Sequence, residues 1–67
     1  MATIDDVNVK IASAIAKGGK VTVIDGSKAN KETRAGCYIY VSIGLSMVIY
    51  FVGRDLQSGN EIVEVLG

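Results

Sequence analysis

Lys28, Lys31 and Arg34 recur at intervals of three in an otherwise polar stretch. Cations clustered in this way can hold a phosphate or another anion through charge-assisted hydrogen bonds. Tyr38 and Tyr40 follow closely in the chain. Basic residues beside aromatics are the combination that binds single-stranded nucleic acid, with phosphate contacts from the first and base stacking from the second. A solvated loop accounts for the same three charges without a ligand, because exposed charges are common and contribute only about 0–1 kcal/mol each.

Catalytic chemistry finds little to work with. The chain has no histidine, the side chain whose ordinary pKa lies nearest to neutral pH, so a Cys–His or Ser–His nucleophile pair is excluded. Cys37 is the single cysteine. It cannot form an internal disulfide, and a zinc site of the usual Cys/His type cannot be built from one chain. Its place at the start of an apolar run reads as a buried structural thiol, not a reactive one. The seven carboxylates show no paired or metal-binding spacing. Gly18-Gly19-Lys20 fits a helix stop better than a phosphate cradle, and no Walker-type or Rossmann-type glycine pattern occurs. The expectation is a protein without catalytic residues, cofactor or metal.

The charge balance is neutral, with seven basic and seven acidic residues. General nucleic-acid binding needs a net positive potential, so nucleic acid is not the favoured partner. The distribution is uneven. Residues 20–36 hold Lys20, Lys28, Lys31 and Arg34 against Asp25 and Glu32, while residues 37–67 hold Arg54 against Asp55, Glu61 and Glu64.

The elements that would position these residues follow from periodicity. At 67 residues the chain has room for one domain, residues 1–67. Residues 4–17 read as an amphipathic helix, with Ile4, Val7, Ile11, Ala14 and Ile15 on one stripe. Thr3 is placed to cap it, with Asp6 three residues on. Asp5 and Asp6 favour the positive end of the helix dipole and Lys17 the negative end. Gly18-Gly19 supplies the positive φ that ends helices. Residues 20–25 are rich in β-branched side chains and read as a strand, and the polar residues 26–36 read as a loop.

No charged residue lies between Arg34 and Arg54. Residues 36–53 could therefore form a single membrane span, which needs about 20 apolar residues. The composition speaks for a hairpin instead. Ile39, Val41, Ile43, Val48, Ile49 and Val52 are β-branched, Tyr38, Tyr40, Tyr50 and Phe51 are aromatic, and Gly44-Leu45 suits a two-residue type II′ turn. Strands at 37–43 and 46–52 then pair, and residues 61–66 alternate as a last strand. The fold class is α+β: an N-terminal helix on a mainly antiparallel sheet of about four strands, open or curled into a partial barrel.

The hairpin carries the functional expectation. With Gly44-Leu45 as the loop, Val41 opposes Val48, Tyr40 opposes Ile49, Ile39 opposes Tyr50 and Tyr38 opposes Phe51. Side chains alternate across a strand. One face holds Cys37, Ile39, Val41, Ile43, Val48, Tyr50 and Val52, and the other holds Tyr38, Tyr40, Ser42, Met47, Ile49 and Phe51. Both are apolar, yet one short helix covers only one face. The face of Tyr38, Tyr40, Met47, Ile49 and Phe51 is the candidate interaction surface, to be buried in a homo-oligomer or a partner protein. The competing expectations are an anionic-ligand or nucleic-acid module using Lys28, Lys31 and Arg34, and the single-span membrane protein. The acidic N-terminus is unlike a secretory signal, and a lone cysteine suits a reducing compartment, so a cytoplasmic location is expected.

Overall fold

A computed structural model describes residues 3–26 and 34–67. It contains one helix, α1 (Ile4–Ala16), followed by β1 (Lys20–Asp25), β2 (Arg34–Ile43), β3 (Ser46–Asp55) and β4 (Glu61–Val65). The strands form a single antiparallel sheet in chain order. The sheet stays open, with β1 at one edge and β4 at the other, so it does not curl into a closed barrel.

The helix begins and ends where local chemistry requires. The Asp6 amide donates to Thr3 Oγ1 at 3.3 Å and the Thr3 amide donates to Asp6 Oδ2 at 2.9 Å, a reciprocal capping box. At the other end Lys17 is the cap residue and Gly18 turns back with φ +75°. The Gly18 amide donates to Ile15 O and the Gly19 amide to Ala14 O at 2.7 Å, which satisfies the last carbonyls in a Schellman motif. Gly19 then lies against β2: a Cβ there would collide with the Ser42 carbonyl oxygen. Strand β1 consequently starts close beneath the helix.

Residues 36–53 form no helix. They lie in β2 and β3, joined at Gly44-Leu45 with the register deduced from the turn, Val41 opposite Val48 and Tyr38 opposite Phe51. Gly44 has φ +58° and no non-glycine residue among those described has a positive φ, as a type II′ turn requires. The single-span reading fails on this pairing: the same uncharged run satisfies its backbone between strands instead of within a helix. Among the described residues no helix is long and apolar enough to cross a membrane.

Both hairpin strands run further than composition alone indicates. Pairing continues through Gly36 opposite Gly53 to Arg34 opposite Asp55. The two glycines let the strands approach closely, since a Cβ on Gly36 would strike the Val52 carbonyl oxygen and one on Gly53 the Ala35 carbonyl oxygen. The final strand likewise outlasts its nominal end. The Leu66 amide donates to Ile49 O and the Ile49 amide donates to Gly67 O.

The core lies between α1 and one face of the sheet. Val7 and Ala14 pack on Ile39, Val41 and Tyr50, with Ile11, Val21, Cys37, Ile43, Val48, Val52 and Val63 around them. Ile15 departs from the expected stripe and is 66% exposed. It sits to one side of the line through Val7 and Ala14, and the helix settles on its small residues, letting the sheet approach the Ala14 side.

Candidate interaction surface

The opposite face of the sheet is built from alternate residues of four strands. The registers place Lys20, Thr22 and Ile24 of β1 beside Ser42, Tyr40 and Tyr38 of β2, then Met47, Ile49 and Phe51 of β3, and Glu64 of β4 beyond Phe51. Among the described residues no helix covers this face. The residues expected on it do lie on it, but it divides into two unlike halves.

The half nearest Arg34 is closed by the chain itself. Phe51 is 3% exposed. The Arg34 guanidinium stands over its ring, 4.2 Å from the centroid, and Tyr38 meets it edge-on with centroids 5.2 Å apart and planes at 64°. Gly26 closes the same corner: its amide donates to Gly36 O at 3.0 Å, and a Cβ there would collide with the Tyr38 ring. Arg34 also pairs with Glu64 at 2.8 Å. Phe51 is therefore a second small core, not part of an exposed patch. The sequence does not reveal this, because the polar composition of residues 26–36 reads as a loop that includes Arg34. As a strand residue three positions further along the β2–β3 ladder, it reaches across to β4.

The half nearest the Gly44 turn stays open. Met47 is 55% exposed, Tyr40 and Ile49 are half-buried, and Ile24, beside Tyr38 at the margin between the two halves, is 48% exposed. Lys20, Thr22, Ile24, Tyr40, Ser42 and Met47 line a shallow groove of about 270 Å³. Its walls are mostly hydrocarbon, with the Lys20 ammonium as the one charged group among these six. Three of the six come from β1, which sequence reasoning did not connect to this face. The alternation of Lys20, Thr22 and Ile24 marks them as sharing a side, but only the β1–β2 register shows which side.

Of the three candidate anion-binding residues, Lys28 and Lys31 lie outside the described residues, and Arg34 is engaged with Glu64 and Phe51. Tyr38 and Tyr40, the aromatics paired with them, share one face of β2, with Tyr38 turned to Phe51 and Tyr40 to the groove. Cys37 is a half-buried free thiol at the margin of the helix-side core. Among the described residues no three His, Cys, Asp or Glu side chains are grouped closely enough to hold a metal ion.

The β3–β4 turn is organised around Asp55. Asp55 Oδ1 accepts hydrogen bonds from the Ser58 and Gln57 amides at 3.0 and 2.9 Å, which hold its carboxyl below the ordinary aspartate value. Arg54 donates from Nη1 to Gly59 O at 2.6 Å across the same turn. These contacts fix the loop and offer no reacting group. Comparisons with protein-family models, with curated proteins and with solved structures find no significant match to this chain.

Proposed function

We propose that this chain is a non-enzymatic assembly module whose open half-face, with the β1 strand that borders it, is covered by a second copy or by a partner protein. The observation that carries this reading is the exposure of Ile24 and Met47 beside Tyr40 and Ile49 on a face that no helix covers among the described residues. Burying each such side chain favours association by about 1.5–3 kcal/mol. Shape supports the same reading. The chain exposes 4571 Å², where a compact monomer of 7.1 kDa exposes about 4100 Å². Its radius of gyration is 12.4 Å, against about 11 Å for a compact domain of this length.

A small chain without a disulfide framework gains most from oligomerisation, so a homo-oligomer is the preferred form. We place the protein in the cytoplasm, where the free Cys37 thiol stays reduced. The test is the mass in solution by light scattering from micromolar concentration upwards. We expect a particle heavier than one 7.1 kDa chain. A monodisperse single-chain particle at every concentration would remove this reading. Binding of phosphate ligands or single-stranded nucleic acid that weakens steeply with salt would instead favour the anion-binding module.

A further inference from the structure

We infer that a second copy of this chain adds to the free edge of β1, antiparallel, about a twofold axis at Thr22, so that the two sheets become one. This deepens the assembly reading and rests on it.

The argument begins with Val23 and Ile24. They are consecutive residues pointing to opposite sides of the sheet, and both are exposed, at 61% and 48%. A partner lying on one face would cover Ile24 and leave Val23 in water. A strand added at the edge approaches both. The outer side of β1 also presents a row of backbone amides and carbonyls, because among the described residues its sheet neighbour is β2 alone. Such a row is matched by another extended backbone.

The devices that usually protect an edge are missing from its centre. Residues 21–24, Val-Thr-Val-Ile, contain no charge and no proline. The other edge differs, because β4 carries Glu61 and Glu64 within five residues. Two β4 edges set side by side would gather four carboxylates. A head-to-tail contact fares no better. With matching faces, opposing Ile24 to Ile62 sets Asp25 opposite Glu61.

Pairing of β1 with itself opposes no two like charges. An antiparallel twofold keeps the helices of both copies on one side only when a residue opposes itself or a residue of the same face. With Thr22 on the axis, Thr22 opposes Thr22 of the second copy, Val21 opposes Val23, and Lys20 opposes Ile24. Thr–Thr and β-branched pairs are favourable cross-strand neighbours. The two grooves, each walled by Lys20, Thr22 and Ile24, then meet across the axis in one trough.

Two variants of the full chain test this. Val23→Asp lies on the helix side of the sheet, where it cannot touch the groove. We expect unchanged circular dichroism and a dimer dissociation constant raised by about tenfold or more. Thr22→Cys, made together with Cys37→Ser, places one thiol on the axis. Opposed residues in an antiparallel pair are about 4.5–5.5 Å apart at Cα, inside the disulfide range. Mild oxidation with glutathione disulfide should give a covalent dimer, while Met47→Cys in the same background, two strands from the axis, should not. If the wild type assembles, but Val23→Asp keeps its mass and Thr22→Cys stays uncrosslinked, the edge inference is overturned and the broader assembly reading survives. A monomeric wild type removes both.

Discussion

Arg34 shows how one side chain changes the character of a surface. Its guanidinium lies over Phe51 of β3 and pairs with Glu64 on β4, two strands away, so a hydrocarbon stem and a flat cation roof an aromatic ring. Exposed ion pairs contribute about 0–1 kcal/mol, whereas the stem of an arginine can cover considerable apolar area. The two contributions separate experimentally. Arg34→Met keeps the cover and loses the charge, and should cost under about 1 kcal/mol in urea denaturation. Arg34→Ala uncovers Phe51 and should cost about 1–2 kcal/mol. Equal losses in the two variants would mean that the ion pair, not the cover, holds the strands together.

At the scale of elements, the Gly36–Gly53 pair and the Asp55 turn govern the far end of the hairpin. A Cβ at Gly53 would meet the Ala35 carbonyl oxygen and the Gly36 backbone, and these atoms belong to the adjoining strand. Gly53→Ala must therefore push the strands apart, and should destabilise the fold by about 1–3 kcal/mol, measured at a fixed chain concentration. Asp55 makes a different prediction. Its carboxyl is held below the ordinary value of 3.8 by the Ser58 and Gln57 amides. A depressed folded pKa contributes stability that is fully present above the unfolded value and is lost as pH falls through the folded one. The protection of the Gln57 and Ser58 amides, taken relative to their intrinsic exchange rates, should hold at neutral pH and fall as pH drops below that ordinary value. Asp55→Asn, which keeps an acceptor oxygen but cannot ionise, should remove this acid-dependent step.

Part of the fold was legible in the chain and part was not. The cap of α1 and the Gly44 turn are local, and Thr3, Asp6, Gly18 and Gly44 each sit where the structure needs them. Arg34, by contrast, looks like a loop cation beside Lys28 and Lys31. Its place on the ladder opposite Asp55 depends on two glycines that are poor strand formers in isolation.

For the molecule as a whole, the two faces of β2 can be set against each other. Val41 is 1% exposed between helix and sheet, and Tyr40 beside it faces the groove. Val41→Asp should abolish the folded circular dichroism spectrum, because an unpaired charge in that core costs several kcal/mol. Tyr40→Asp should keep the spectrum and lower the mass in solution. The comparison needs a range of concentrations, since folding and assembly are linked in an obligate oligomer. Should Tyr40→Asp match the wild type in both mass and stability, the groove is a solvent-facing surface and assembly must be carried elsewhere.

The chain by itself determined the helix, its cap and stop, the register of the central hairpin, and the presence of apolar side chains on both of its faces. Each of these is set by neighbours within a few residues or by a two-residue turn, so short-range sterics and side-chain alternation suffice. Only the tertiary structure decided that Phe51 is closed over by Arg34 and Gly26, that Ile15 escapes the core, and that β1 supplies three walls of the groove. Those outcomes depend on which strand lies beside which and how far a ladder runs. Such long-range pairings are selected by total burial over the whole sheet, and no local pattern of residues specifies them.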